Sequence, residues 1–294
     1  MTPLETLVAA EIALPVDPRV AAMGEAIARL YPAAAQAILF YGSCLRTADL
    51  DGQMLDFYLI VSSYEEAYGK SWLAPANRLI PPNVFPFEHA GLAAKYAVLS
   101  EEDFLRLNGP ETLSVSVWAR FAQPSRLVWC RDDAAREACV AAIARAAPTL
   151  LAAARPLADD HGVPLALWRK AFALTYSAEL RAERTTRATS VVDSDPERYL
   201  RFSAPALAEA ESLPALDRKR AERLWARRRR AGKFLSVIRL AKASGTFAGG
   251  IDYIAWKINR HAGTDIRIKP WQRRWPLLGA LTLLPLLLRR GAIR

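Results

Sequence analysis

The chain has 294 residues, of which 52% are hydrophobic and 24% charged, a composition that excludes a largely disordered protein. Its 40 Lys and Arg against 30 Asp and Glu leave a formal net charge of +10, which indicates an anionic partner: nucleic acid, nucleotide or lipid headgroup. The three cysteines show neither disulfide nor zinc spacing, so they argue against a disulfide framework and fit a reducing compartment.

The first half of the chain has the patterns of an α/β domain. An apolar periodicity predicts helical structure over 1–35. Short apolar runs bounded by glycine or polar residues predict buried strands: 37–41, 55–61, 95–99 and 127–130. The proline-rich stretch 64–94 predicts an irregular segment with a helix at its start, and Ser100 followed by acidic residues predicts a helix N-terminus.

The second half has helical patterns only. The predicted helices are 133–153, 165–188, 197–211 and 215–243. We therefore predict an α/β domain over 1–155, a helical domain over 156–264 and a basic C-terminal tail over 265–294.

A glycine and a serine follow the first predicted strand, and an aspartate lies inside the second. Gly42 lets the backbone approach a phosphate chain, and Ser43 with neighbouring N–H groups donates to phosphate oxygens at the start of a helix. Asp56 interrupts an apolar strand, and an unpaired buried charge is costly, so we expect a partner or a metal ion there. These features resemble the nucleotidyltransferase fold, in which carboxylates on the neighbouring strand hold Mg²⁺ against the phosphates.

The predicted metal site lacks a second carboxylate close by in sequence. Many members of that fold carry two aspartates separated by one residue, but position 58 is Tyr58. A second acid must come from Asp49, from Asp51 or from the helical half. The structural alternative for Asp56 is a carboxylate that caps a loop or pairs with an arginine.

Five blocks in order over residues 40–250 resemble the mitochondrial-type phosphatidate cytidylyltransferases, a peripheral family with bacterial relatives. The blocks are Phe40-Tyr41-Gly42-Ser43 with Met54-Leu55-Asp56-Phe57, Lys95-Tyr96-Ala97-Val98-Leu99-Ser100, Trp118-Ala119-Arg120-Phe121-Ala122-Gln123-Pro124, Tyr176-Ser177-Ala178-Glu179-Leu180-Arg181 and Gly245-Thr246-Phe247-Ala248-Gly249. The departures from the family's motifs are Cys44 for a glycine, Ala178-Glu179 for Gly-Asp, and Ser244 for a basic residue.

The resemblance implies a reaction, an architecture and a set of site residues. The reaction transfers CMP from CTP to phosphatidic acid, giving CDP-diacylglycerol and pyrophosphate, with Mg²⁺ as cofactor. The architecture is an α/β nucleotidyltransferase-fold domain, an all-α domain closing the cleft, and a C-terminal interfacial membrane segment. The implied catalytic residues are Asp56, Lys95 and Glu179, of which Asp56 and Glu179 hold the metal. The implied nucleotide contacts are Tyr41, Gly42, Ser43, Arg120 and Arg181.

Several of these assignments have a structural alternative. Lys95 is either a phosphate contact or a strand-edge lysine that blunts pairing. Glu179 is either a metal ligand or a solvent-facing helix acid, and Arg181 is either a phosphate contact or a surface arginine. Arg120 and Gln123 are either nucleotide contacts or structural tethers.

The C-terminal tail is basic and apolar at once. Residues 265–294 hold seven Lys or Arg and one acid, a net of +6, around an apolar stretch over 277–288. A helix of that length rises about 18 Å, short of the hydrocarbon core of about 30 Å, so it is too short to span. With its two tryptophans it predicts an interfacial segment on an anionic membrane surface. The alternative is a terminal helix packed on the core.

This tail predicts a peripheral membrane protein on the cytoplasmic face of the inner membrane, or on the matrix side of the mitochondrial inner membrane. The basic run over 227–230 also fits anionic lipid better than nucleic acid, and we expect no nucleic-acid partner. Three other functions stay open: a nucleotidyltransferase with a different phosphorylated or protein acceptor, a catalytically inactive membrane-bound scaffold of the same fold, and an RNA-modifying transferase.

Overall fold

Helices and strands alternate up to residue 130 of the computed structural model, and only helices follow within the residues that it describes. It describes residues 1–47, 49–159, 163–179, 191–246 and 268–271, with 240, 241 and 243–246 described by their backbone only. The strands are β1 (Ala35–Tyr41), β2 (Met54–Val61), β3 (Asn83–His89), β4 (Leu92–Ser100) and β5 (Ser125–Cys130).

The helices surround this sheet. Those of the first half are α1 (Pro3–Ile12), α2 (Pro18–Arg29), α3 (Ser43–Thr47), α4 (Tyr64–Tyr68), α5 (Leu73–Leu79), α6 (Glu101–Leu107) and α7 (Trp118–Phe121). Those that follow are α8 (Asp133–Ala144), α9 (Ala146–Ala154), α10 (Pro164–Ala178), α11 (Pro196–Ala210) and α12 (Arg218–Thr246).

The strands form one mixed five-stranded sheet in the order β3-β4-β2-β1-β5. Strands β2 and β4 are parallel, and the other neighbouring pairs are antiparallel. This sheet with its helices agrees with the predicted α/β class. The boundaries predicted at 155 and 264 stay a prediction.

The two faces of the sheet bury different cores, because side chains alternate along each strand. On β2, Leu55, Phe57 and Leu59 pack in the cluster that contains the apolar side of α2. Tyr58 and Ile60 face the other way, into a larger cluster that continues through α9, α10 and α11. Asp56 has the same strand parity as Tyr58, so it lies on the face that the later helices cover.

A buried ion pair connects the first helix to the later ones. Arg198 on α11 donates to both carboxylate oxygens of Glu11 on α1, with 2.8 Å from Nη2 to Oε1, and its side chain is only 3% exposed. Its Nη1 also donates to the Ala122 carbonyl at 3.0 Å. The guanidinium therefore joins α1, the end of α7 and α11 in one contact.

Most of the predicted elements are confirmed, with two instructive differences. The predicted irregular segment contains α5 and the strand β3, which the prolines concealed. Pro86 is tolerated there because β3 is an edge strand, where a missing N–H breaks no ladder. The helix predicted over 133–153 is divided, because the ring of Pro148 clashes with the carbonyl of residue 144, where α8 ends.

The basic helix α12 places part of its predicted apolar side in the core. Trp225 is fully buried and donates from Nε1 to the Ala153 carbonyl at 2.8 Å, whereas Phe234 is exposed. Arg228 is buried too, with its guanidinium 5.1 Å from the Trp225 ring centroid and 5.4 Å from that of Trp118. The run over 227–230 is therefore not a uniform lipid-facing surface.

One stretch of the described helices, Asp133–Leu157, is long and apolar enough to cross a membrane, with a mean hydropathy of 1.4 over an 18-residue window. Since 72% of that window is buried inside the fold, the stretch is accounted for as core. The predicted tail over 265–294 lies outside the described residues except for 268–271, and its membrane role stays a prediction.

Candidate functional site

Three of the predicted site residues lie side by side in one row across the sheet. Asp56 on β2 is in register with Tyr41 on β1 and with Lys95 on β4. In-register residues on neighbouring strands point to the same face, so these side chains share a surface. We call this set the Lys95–Asp56–Tyr41 row.

Gly42 brings the backbone against the Asp56 carboxylate where β1 ends. Its φ is +98°, and a Cβ at this position would lie 2.8 Å from Asp56 Oδ2. Helix α3 begins at the next residue, Ser43, whose side chain is exposed. The predicted order of strand, glycine and short helix is therefore present, and the glycine faces the aspartate. Cys44, at the position of a glycine in the resembled motif, is buried inside α3 and has no positive φ.

Asp56 has a partner, and it is a lysine. Lys95 Nζ lies 3.0 Å from Asp56 Oδ1, with the side chains 29% and 19% exposed. Strand β4 lies between β3 and β2, so Lys95 is not the strand-edge lysine of the alternative interpretation. The pair is accessible enough for Lys95 to contact a bound anion.

Glu179 lies beside Arg120. It is not the solvent-facing helix residue of the alternative interpretation. Helix α10 ends at Ala178, short of the predicted end, and Glu179 follows it in extended conformation. Its side chain is 10% exposed, and its Oε1 lies 3.5 Å from Arg120 Nη1. Burial alone lowers the pKa of Arg120, but the neighbouring charges of Glu179 and Asp56 outweigh it and raise that pKa.

Aromatic rings pack together near Asp56 and Glu179. The ring centroids of Tyr41 and Tyr58 are 5.2 Å apart, and that of Tyr58 lies 5.1 Å from Phe121. Burial, followed by the charge of Asp56, raises the pKa of Tyr41 well above its ordinary value, so its hydroxyl stays protonated as a donor. Tyr58 thus occupies the position where many members of the predicted fold carry a second acid.

Two basic residues of α12, Arg239 and Lys242, also lie near the site. The sequence analysis did not assign either of them to it. Arg239 donates to the Pro81 carbonyl at 2.9 Å and to the hydroxyls of Ser116 and Ser114 at 3.1 and 3.2 Å. Burial lowers its pKa, and the nearby charges of Tyr58 and Glu179 oppose that shift. Lys242 donates to the Ile80 carbonyl. The sequence signals were the basic character of the helix and, for Lys242, its place near Ser244, where the resembled motif has a basic residue.

The other predicted contributors lie elsewhere. Asp51 pairs with Arg19 at 3.1 Å and is highly exposed, and Asp49 is exposed in the same loop, so their role as the second acid stays a prediction. Gln123 donates to the Ala119 carbonyl and accepts from Arg46, which makes it a tether of α7 to α3. Arg181 lies outside the described residues.

The donor set suits magnesium only in combination with a phosphate substrate. Among the described residues no group of three or more His, Cys, Asp and Glu is placed to hold a metal ion. Magnesium is commonly held by one or two carboxylates, water and substrate phosphates, so Asp56 and Glu179 fit that more limited role. Both carboxylates already face a cation, Lys95 and Arg120 respectively. The local charge, with Arg239 added, favours a polyanion.

Comparisons with known proteins add no family to this picture. No protein-family model matches the chain, and no curated protein matches it. The evidence for a function therefore comes from the five sequence blocks and from the Lys95–Asp56–Tyr41 row.

Proposed function

We propose that this protein is a magnesium-dependent nucleotidyltransferase that transfers CMP from CTP to phosphatidic acid, giving CDP-diacylglycerol and pyrophosphate. One observation carries the proposal: the Asp56 carboxylate faces the Gly42 backbone at the end of β1, in register with Lys95. A carboxylate opposite a glycine–serine bend is the arrangement that a metal–triphosphate complex needs. The choice of CTP and phosphatidic acid comes from the sequence blocks.

The charges around the row support binding of a triphosphate. Lys95 supplies positive charge beside Asp56, Arg120 supplies it beside Glu179, and Arg239 is held nearby by the Ser114 and Ser116 hydroxyls. Positively charged, partly desolvated side chains stabilise phosphate oxygens more strongly than they would in water. Gly42 has no side chain that would collide with Asp56, so the backbone at the end of β1 can lie directly against that carboxylate.

The transfer itself requires positioning more than proton chemistry. An oxygen of the phosphatidate phosphate forms a bond to the α-phosphorus of CTP, and the bond from that phosphorus to the bridging oxygen breaks as pyrophosphate leaves. A phosphate monoester has a second pKa of about 6, so the attacking group is already largely dianionic and needs no general base. A bound Mg²⁺, held by Asp56 with Glu179 as second ligand, would supply charge that offsets the negative charge on the leaving pyrophosphate. Lys95 and Arg120 would orient the phosphates for in-line attack.

A catalytically inactive scaffold is the second candidate, and a specific observation favours it. Asp56 and Glu179 are both paired with cations, and Tyr58 replaces an acid that many members of the fold carry. A protein that had lost its metal could retain these pairs as structural contacts. The two candidates differ in whether magnesium and CTP bind and react.

The decisive experiment is an assay with CTP and phosphatidic acid on liposomes, scored for both pyrophosphate and liponucleotide. We expect magnesium-dependent formation of both products, and loss of about 100-fold or more in Asp56→Ala. Glu65→Ala is the control, because Glu65 pairs with an exposed arginine away from the row. Pyrophosphate release with another acceptor would replace phosphatidic acid in the proposal, and full activity in Asp56→Ala would remove the row from the mechanism.

A further inference from the structure

A second concave site has a lining that contains no residue of the Lys95–Asp56–Tyr41 row. A cavity of about 480 Å³, open to solvent, is lined by residues of α1, the last turn of α3, the start of β5 and the first half of α11. None of the predicted site residues lines it. Its volume is within the range of about 300–1,000 Å³ that small-molecule sites occupy.

Arginines from three different elements converge on this cavity. Arg46 comes from α3, Arg126 from β5 and Arg201 from α11. Arg46 donates to the neutral amide of Gln123, Arg126 donates only to the Ser125 carbonyl, and Arg201 has no ion pair with any described residue. Burial lowers the pKa of Arg126, and the more distant charge of Glu11 offsets that shift only in part. Within the described part of the chain, these guanidinium groups therefore have no carboxylate in ion-pair contact.

The acids that also line the cavity already have partners. Glu11 accepts two hydrogen bonds from the buried Arg198. Asp195 caps α11 by accepting from the backbone N–H of Arg198 at 3.1 Å. Neither carboxylate is within ion-pair distance of Arg46, Arg126 or Arg201, so the cavity keeps an excess of positive charge.

The rest of the wall is mostly apolar. Leu7, Leu45 and Phe202 contribute hydrocarbon surface, and Ser194 is the polar exception. Tyr199 is fully buried, so its hydroxyl oxygen lies behind this surface and out of reach of a molecule in the cavity. The arginines and the hydrocarbon surface therefore carry the recognition.

We propose that this cavity binds a phosphate monoester that carries an apolar group, at a site distinct from the Lys95–Asp56–Tyr41 row. Arginine matches the oxygens of a phosphate with parallel N–H donors, and the leucine and phenylalanine side chains cover the apolar part. The shared chemistry is the phosphate group, which a lipid headgroup or a soluble phosphate can supply. The proposal is independent of the transferase activity, because its residues take no part in the row.

Calorimetric titration of the full chain in magnesium-free buffer tests this inference. The probes are dihexanoyl phosphatidic acid, inorganic phosphate and, as an apolar control without a phosphate monoester, dihexanoyl phosphatidylcholine. The variants are Arg126→Gln and Arg201→Gln, and Arg29→Gln is the matched control because it removes the same charge at an exposed position outside the cavity lining. Arg201 is exposed, so its variant keeps the test valid if Arg126→Gln does not fold.

We expect dihexanoyl phosphatidic acid to bind, with a dissociation constant about tenfold higher in each cavity variant and changed less than about twofold in Arg29→Gln. If inorganic phosphate binds and the cavity variants weaken its binding equally, recognition is due to the phosphate alone. If inorganic phosphate does not bind, the apolar group is required. Equal binding of phosphatidylcholine, binding of neither phosphate probe, or binding that both cavity variants leave unchanged would overturn the proposal.

Discussion

Gly42 and Asp56 approach so closely that a Cβ at position 42 would lie 2.8 Å from the Asp56 carboxylate. The contact joins the end of β1 to the middle of the sheet, and it combines with a φ of +98° that only glycine adopts easily. The position therefore has two separate requirements for glycine, one from the backbone and one from the neighbouring carboxylate.

Gly42→Ala should separate these requirements when it is compared with Gly52→Ala. Gly52 also has a positive φ, of +67°, but a Cβ at that position would meet no atom within 4 Å. We expect Gly52→Ala to lose about 1 kcal/mol of unfolding free energy from backbone strain alone, and Gly42→Ala to lose more, about 2–3 kcal/mol. Urea denaturation measures both losses. Equal losses would show that the approach to Asp56 has no energetic consequence.

Glu179→Gln should weaken the dependence of activity on magnesium without unfolding the protein. Glutamine keeps the size of the side chain and removes the charge that faces Arg120 at 3.5 Å. We expect the magnesium concentration for half-maximal pyrophosphate release to rise about tenfold or more. Glu111→Gln is the control, since Glu111 pairs with Arg145 away from the row. An unchanged magnesium titration in Glu179→Gln would leave Asp56 as the proposed ligand and exclude Glu179.

The Glu11–Arg198 pair should be strongly coupled, because both side chains are removed from solvent. Arg198→Met leaves the Glu11 carboxylate buried without its cation, and we expect a loss of about 3–5 kcal/mol in unfolding free energy. Adding Glu11→Gln to that variant should recover part of the loss. Chemical denaturation of the two single variants and the double variant measures the coupling. Strictly additive losses would contradict an energetic link between α1 and α11.

Lys242 should make the folded state more stable as pH rises above neutrality. Burial, followed by the charge of Arg239, lowers the pKa of Lys242 to about 7 in the folded protein, whereas an unfolded lysine has a pKa of about 10.4. Between these values the unfolded chain binds more protons at this site, so the free energy of unfolding increases with pH. Its contribution is about 1 kcal/mol per pH unit between about pH 7.5 and about pH 9.

Lys242→Met should remove this contribution, so the wild-type protein should gain stability relative to the variant across that interval. Lys233→Met on the same helix is the control, because Lys233 is exposed. Thermal or urea unfolding at several pH values measures the difference. Parallel pH profiles for the wild-type protein and Lys242→Met would contradict the burial of a cationic side chain at this position.

The strands near the candidate site were accessible to prediction, because their pattern is local. The apolar run that forms β1 ends at Gly42, and the run that forms β2 contains a single charge, Asp56. These features predicted both strands and the candidate role of Asp56. Strand β3 escaped prediction because Pro86 and its neighbours are typical of loops, and only the position of β3 at the sheet edge makes a proline acceptable there. The end of α10 was placed too late for the same kind of reason, since the ion pair of Glu179 with Arg120 joins residues far apart in the chain.

The sequence by itself determined the α/β class, the strand that holds Asp56 and the glycine–serine bend, because hydrophobic period and turn chemistry act over a few residues. Only the tertiary structure decided that Lys95 faces Asp56, that Glu179 faces Arg120, and that Arg239 enters the same surroundings from α12. Those pairings depend on strand register and helix packing. Charged side chains are brought together there because each would otherwise be partly buried without a partner, a free-energy requirement that belongs to the folded chain as a whole.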